Sequence, residues 1–178
     1  MKSSKVAKRY SRALLGLSSD RAQLEAWGAQ LERLARVIEL PQIDAAFASP
    51  EVSITAKIQA LARITEKLEL SFPVQSFAAV VARHGRIPDL PAMAEVYGGM
   101  LDELMGRTRA RLIFATTPSD GDVKRISGKL KEISHKEIIP TIEVDPALLG
   151  GVIVELEGKT YDGSLTSRLA EAQRRLAG

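Results

Sequence analysis

The segment 158–160, Gly-Lys-Thr, is the strongest candidate for phosphate chemistry, because it matches the last positions of a phosphate-binding P-loop. Such a loop needs a glycine five residues earlier and a helix immediately after it, so that backbone N–H groups surround the phosphate. Position 153 is Ile153, and the flanking residues alternate as strands do. The pair Gly150-Gly151 also lacks the third glycine and the following helix of a dinucleotide fingerprint. The spacing therefore predicts a hairpin turn at Gly158 and a bend at 150–151.

The histidines and carboxylates form no catalytic pattern. His84 and His135 are the only histidines, and neither has another histidine or a cysteine at the spacing of a metal site. Both fall at predicted helix ends, where a histidine complements the helix dipole. Asp120 and Asp122 fall in a predicted first helical turn, where acidic residues are common, and the pair Asp102-Glu103 lies on a polar helix face. We therefore expect no metal and no cofactor, and the carboxylates give no specific candidate for acid–base catalysis.

The composition favours a helix-rich globular protein. Of the 178 residues, 45% are hydrophobic and only 4% aromatic, which predicts a core of Leu, Ile, Val and Ala. The 25 Lys and Arg against 22 Asp and Glu leave a net charge of +3, which is too small for a nucleic-acid-binding pattern. The lack of cysteine excludes disulfides and thiol catalysis. No apolar stretch reaches the length of a membrane span or forms a signal-peptide core, so we expect neither membrane insertion nor secretion.

Residues 1–106 predict a bundle of six helices, because apolar residues recur there every three or four positions between Pro and Gly breaks. The second helix shows this best: Asp20 can cap it, and apolar residues follow at 24, 27, 31, 34 and 38. Pro41 can begin a short third helix, and Gly85 can end the fifth in the left-handed conformation. Amphipathic helices with short connections bury their stripes against one another, so we expect an antiparallel bundle.

Residues 107–178 predict a smaller α+β domain, so the whole chain is α+β and mostly helical. The apolar run 110–116 suits a strand, and Ser119 with Asp122 can cap a helix after it. Residues 141–145 and 152–156 alternate as half-buried strands, and a last helix begins at Ser164. The expected order is strand, helix, two or three strands, helix.

The first and fifth helices carry more apolar residues than a small bundle needs. Such stripes either pack in the core or leave a groove for a partner helix, and the sequence leaves both interpretations open. The residues concerned are Val6, Tyr10, Ala13, Leu14, Leu17, Phe77, Val80 and Val81.

Several segments carry a family resemblance in their order and spacing over essentially the whole chain. The most specific is 144–152, Val-Asp-Pro-Ala-Leu-Leu-Gly-Gly-Val, which continues through Asp-Gly-Ser at 162–164 to Arg168-Leu169. The others are 7–14 (Ala-Lys-Arg-Tyr-Ser-Arg-Ala-Leu), 47–52 followed by Lys57, and 77–86 ending in His-Gly-Arg. Together they resemble the delta subunits of F-type ATP synthases, relatives of the mitochondrial oligomycin-sensitivity-conferring protein. Ser11, Leu165-Thr166 and Leu156-Glu157-Gly158 differ from the residues usual in that family.

The resemblance implies a non-catalytic stator subunit in the peripheral stalk. In that family the six-helix bundle binds the N-terminal helix of an alpha subunit, and the C-terminal domain binds the stalk's b subunits. The subunit acts as a monomer within a hetero-oligomeric complex, at the cytoplasmic face of the bacterial inner membrane. It holds the catalytic head still while proton transport turns the rotor, so that torque drives ATP synthesis.

The resemblance also implies which residues bind partners. For the alpha helix we expect a groove between the first and fifth helices, formed by Tyr10, Leu14, Leu17, Phe77, Val80 and Val81. For the b subunits we expect the terminal helix around Leu169 and Leu176. The turn 145–151 is expected to be architectural, because Pro and paired Gly set backbone shape.

Two other function classes remain as alternatives. A basic helical nucleic-acid-binding module would bind polyanions with a steep salt dependence, whereas binding of a helix through apolar area depends little on salt. A small enzyme built on the C-terminal domain would need a pocket with perturbed acids, and no such set of residues is evident.

Overall fold

The computed structural model describes residues 2–167 and 169, with side chains described from residue 5 onward. The chain divides into two compact units, Met1–Leu101 and Asp102–Gly178. The sequence pattern placed this boundary slightly later, after residue 106. Asp102, the first residue of the second unit, forms ion pairs within that unit: its carboxylate lies 2.7 Å from Arg109 Nε and 3.6 Å from Arg107 Nη2.

The N-terminal unit consists of the predicted succession of helices. They are α1 (Lys2–Leu15), α2 (Arg21–Ile38), α3 (Pro41–Ala48), α4 (Ile54–Lys67), α5 (Phe72–Arg83), a 3₁₀ turn (Ile87–Asp89) and α6 (Leu90–Leu104). Local chemistry sets several of the ends: the Asp20 carboxylate accepts a hydrogen bond from the Ala22 N–H, and Gly85 follows α5 with φ +66°. Helix α1 ends at Leu15, so Leu17 lies in the turn that follows it.

The core of this unit is aliphatic, with a few polar groups that are satisfied within it. Tyr97 is fully buried, and its hydroxyl donates a hydrogen bond of 2.9 Å to the Leu24 carbonyl. Ser11, also buried, donates to the Met93 carbonyl at 2.8 Å. The first bond joins α6 to α2, and the second joins α1 to α6. Because an unpaired polar group in the interior is costly, other packings of these helices that break the bonds are disfavoured.

The C-terminal unit is a four-stranded sheet with a helix. Its elements are β1 (Arg107–Phe114), α7 (Asp120–Ser134), β2 (Glu137–Val144), β3 (Val152–Leu156) and β4 (Lys159–Asp162). The strand order is β2-β1-β3-β4, in which β1 pairs with β2 in parallel, α7 being the crossover, and with β3 antiparallel. Residues 165–167 are helical, at the place of the predicted last helix. The core of the C-terminal unit consists of Ala110, Leu112, Phe114, Leu130, Val154 and Leu156. The α+β fold class is therefore confirmed.

The glycine at 158 lies in a hairpin, as predicted, and not in a phosphate-binding loop. Strands β3 and β4 pair antiparallel on either side of Glu157 and Gly158, which have φ values of +50° and +77°. Two consecutive positive φ values match the tight turn that suits the twist of a β-hairpin. Lys159–Asp162, which follows the turn, forms the strand β4.

Candidate partner-binding groove

Helices α1 and α5 lie side by side and antiparallel in the N-terminal unit. The Tyr10 ring packs edge-on against the Phe77 ring, with centroids 6.3 Å apart, and at the same distance against the His84 ring. Toward the other end, Leu17 and Pro73 line one groove. The C-terminal end of α1 therefore lies beside the N-terminal end of α5, as in any antiparallel pair of helices.

A groove of about 340 Å³ runs between these two helices. Apolar side chains make most of its surface, and Arg9 and Ser76 provide polar groups at its edge. Its lining residues are Arg9, Tyr10, Ala13, Leu14, Leu17, Pro73, Ser76, Phe77 and Val80. A cleft of this shape suits the apolar face of an amphipathic helix, whose anchors recur every three or four residues.

The structure brings together five of the six residues that the sequence analysis assigned to this groove. Leu14 and Phe77 are buried and form its floor, so they serve the bundle core as well. Leu17 and Val80 are 66% and 43% exposed, although both are large apolar residues. These two side chains are the large aliphatic side chains of the groove that a partner can cover.

Val81 does not belong to the groove, and its assignment there is corrected. Its side chain is fully buried and does not line the cleft. Consecutive helical residues point about 100° apart, so the helix that exposes Val80 turns Val81 into the bundle.

Two features at or next to this site were not predicted from the sequence. Arg9 was not assigned to the groove, yet it lines the groove, and its guanidinium lies 5.4 Å from the centre of the Tyr10 ring. Phe72, which precedes the groove residue Pro73 at the start of α5, is 80% exposed, the highest value among the exposed large hydrophobic residues of the described chain. An aromatic residue beside a helix-starting proline was the only signal available for the second feature.

The terminal segment predicted to bind b subunits is described only in part. Leu169 is 62% exposed and so is available to a partner, while Leu176 lies outside the described residues. The turn before it has a structural role: a Cβ placed on Gly151 would lie 2.4 Å from the Gly163 carbonyl oxygen, and the Leu165 N–H donates to the Gly150 carbonyl. The segments 150–151 and 163–165 therefore pack backbone to backbone.

The described part of the chain holds neither a metal cluster nor a membrane-spanning helix. Within residues 2–167 and 169, no group of three or more His, Asp or Glu side chains could hold a metal ion. None of the helices in these residues is long and apolar enough to cross a membrane. His84 is the C-cap of α5, at the helix end where the sequence placed it, and its Nδ1 lies 2.9 Å from the Val80 carbonyl oxygen.

Comparisons with known proteins identify the family of this chain. The family model for the ATP synthase delta (OSCP) subunit matches residues 6–176. The chain belongs to this family. ATP synthase subunit delta of Geobacter metallireducens is 34% identical over 174 residues, covering 97% of both chains. That of Citrifermentans bemidjiense is 32% identical with the same coverage.

A solved structure supports the fold independently. A chain in the cryo-EM structure of the Toxoplasma gondii mitochondrial ATP synthase hexamer aligns with a TM-score of 0.66 at 17% identity, covering 97% of each chain. As a delta/OSCP family member, the protein is a non-catalytic stator subunit of the ATP synthase peripheral stalk. The predicted family and its stator role are therefore confirmed.

Proposed function

We propose that this delta-family chain holds the catalytic head by receiving the N-terminal helix of an alpha subunit in the groove between α1 and α5. The observation that supports this is an open apolar cleft with exposed Leu17 and Val80 on its walls. A soluble surface rarely leaves such residues clustered together unless a partner covers them.

The energetics favour a few apolar anchors. Burial of apolar area contributes about 25 cal/mol per Å², so fully covering one Leu or Val contributes roughly 1.5–3 kcal/mol. Ordering of the partner helix and loss of its free motion offset much of this gain. Leu17 and Val80 should therefore dominate the affinity, while Leu14 and Phe77 shape the floor.

The C-terminal unit is proposed to bind the b subunits through its terminal segment around Leu169. The exposed Leu169 supports this, and the backbone packing of 150–151 against 163–165 provides a firm base for that segment. With one partner on each unit, the chain would link the head to the stalk at the cytoplasmic face of the bacterial inner membrane. This link would resist rotor torque, so that proton transport drives ATP synthesis instead of turning the head.

Calorimetric titration of the full chain with a peptide from the N-terminus of its own organism's alpha subunit tests the groove. We expect one-to-one binding that survives at high salt, since apolar burial is little screened. Val80→Lys should weaken it roughly tenfold or more, because a charge would be covered by the partner. Ile133→Lys is the matched control: Ile133 is also β-branched, 60% exposed and in the last turn of a helix, but in the C-terminal unit.

Equal effects of the two substitutions, in variants that remain folded, would show that the groove assignment is wrong.

The same titration with the C-terminal peptide of the b subunit tests the second contact. A chain truncated after Asp162 should lose b binding and keep alpha binding. If the truncated chain kept both b binding and alpha binding, the b contact would have to lie outside the terminal segment.

A further inference from the structure

The two helices that flank the groove, α1 and α5, carry an unusual concentration of positive charge. Helices α1 and α5 contain six of the 25 basic residues and none of the 22 acidic ones. The whole chain has a net charge of +3, so without these two helices it would be −3. The basic residues concerned are Lys2, Lys5, Lys8, Arg9, Arg12 and Arg83.

Arg9 is the cation placed to meet a bound helix. It lines the cleft, is exposed, and holds its guanidinium 5.4 Å from the centre of the Tyr10 ring. Among the residues that the structure describes, no carboxylate pairs with it. The ring contact limits where the guanidinium can lie, so a partner finds it already beside the groove.

The charge lies at one end of the groove. Lys5 is one helical turn before Arg9 on α1, and Arg83 is one turn after Val80 on α5, so the antiparallel arrangement brings both toward the end where Tyr10 meets His84. Leu17 and Pro73 line the opposite end of the groove, and the Leu17 side chain is exposed. Basic residues therefore flank one end of the groove, and apolar side chains line the other.

We propose that Arg9 binds a carboxylate on the flank of the partner helix, so that the groove selects an acidic amphipathic helix. The inference rests on the proposed function, because it concerns the same groove. A helix seated on Tyr10 partly covers the guanidinium beside it, and a carboxylate replaces the water that Arg9 loses. Charges at such a rim govern partner choice and association rate more than total affinity.

The test is a double-mutant cycle between the full chain and the alpha-subunit N-terminal peptide. One arm compares the wild-type chain, Arg9→Glu and Lys8→Glu; the other compares the natural peptide with a copy whose Asp and Glu are replaced by Asn and Gln. Lys8 is the matched control, because it is the adjacent residue, is exposed, makes the same change in net charge and does not line the groove. Arg9→Gln serves as the milder variant should charge reversal disturb α1.

We expect Arg9→Glu to weaken binding of the natural peptide by about three- to tenfold at low salt, as for a rim ion pair turned into a repulsion. Lys8→Glu should change it less than about twofold, and the amide-substituted peptide should not distinguish the wild-type chain from Arg9→Glu. Equal effects of Arg9→Glu and Lys8→Glu, with the wild-type chain still binding, would overturn the role of Arg9 and leave the groove in place. No binding by the wild-type chain would instead overturn the proposed partner, and the inference with it. Displacement of the peptide by a single-stranded oligonucleotide would show that the basic residues beside the groove bind polyanions in general, which would overturn selection of an acidic helix.

Discussion

Tyr97 shows how one polar group can be buried in an aliphatic core. Its hydroxyl donates to the Leu24 carbonyl at 2.9 Å, and its ring lies 3.3 Å from the position that a Cβ on Gly28 would take. Burial raises the pKa of the Tyr97 hydroxyl to about 12, because the charged phenolate loses its water there. The N-terminal unit is therefore more stable when the Tyr97 hydroxyl is neutral than when it is ionised.

Replacing Tyr97 by Phe should lower the free energy of unfolding at neutral pH by about 1–2 kcal/mol, since a buried hydrogen bond is lost. A folded-state pKa above the usual 10.0 means that the contribution of Tyr97 is complete below pH 10 and is lost as pH rises toward 12. The stability gap between the wild-type chain and Tyr97→Phe should therefore shrink above pH 10. Denaturant unfolding at several pH values measures this gap, and Tyr161→Phe, at a partly exposed site in β4, is the control. A gap that stays constant to pH 12 would contradict the role assigned to the buried hydroxyl.

At the scale of elements, the packing of two turns explains the most specific segment of the sequence. Gly151 has φ +89°, and a side chain there would meet the Gly163 carbonyl oxygen and, at 2.9 Å, the Ser164 Cα. The Asp162 carboxylate accepts a hydrogen bond from the Ser164 N–H at 2.8 Å and another from the Ser167 hydroxyl, which begins the last helical segment. The paired glycines and the Asp-Gly-Ser triplet therefore form one structural unit, as the sequence analysis expected for the turn.

We expect Gly151→Ala to destabilise the C-terminal unit by at least about 2 kcal/mol, because the added Cβ forces backbone apart at a positive φ. Gly128→Ala is the opposite case: Gly128 is in the middle of α7 with open space around it, so alanine there should stabilise by roughly 0.5–1 kcal/mol. Hydrogen exchange at the amides of β1 and β3 measures both effects in the full chain. Gly151→Ala with wild-type protection would show that the two turns can separate without cost.

At the scale of the whole molecule, the two units have separate cores and different electrostatic stabilisation. The C-terminal unit has a strand-to-strand charge ladder, in which the Arg111 guanidinium lies 2.6 Å from Glu143 and 3.1 Å from Glu155. Arg111 lowers the pKa of the Glu143 carboxyl, and the Lys136 ammonium lowers that of Glu157. Hydrogen bonds from Ser119 and Ser167 lower the pKa of Asp122 and Asp162, respectively.

These four carboxylates should make the C-terminal unit sensitive to acid. A folded-state pKa below the ordinary carboxyl value of about 4 means that each contribution is present above that value and is lost as pH falls through the lowered pKa. We therefore expect amide protection in β1 and β3 to be constant from neutral pH down to about pH 4 and to fall as the solution is made more acidic. Asp162→Asn should remove part of this pH dependence, whereas Asp44→Asn in the N-terminal unit should leave it unchanged. Protection that stays constant when the pH is lowered to about 2 would contradict the prediction.

The order of the elements and most of their ends follow from the sequence by itself, because they depend on neighbouring residues. Asp20 caps α2, Pro41 begins α3 and Gly85 follows α5, and each acts within a few positions of itself. The family and the hairpin at Gly158 were predictable for the same reason. The groove depends on Tyr10 meeting Phe77 from far along the chain, and only the tertiary structure decided that Val80 faces solvent while Val81 is buried. An apolar stripe records that a residue prefers burial, but what covers it depends on which helices pack together, and periodicity holds no information about that packing.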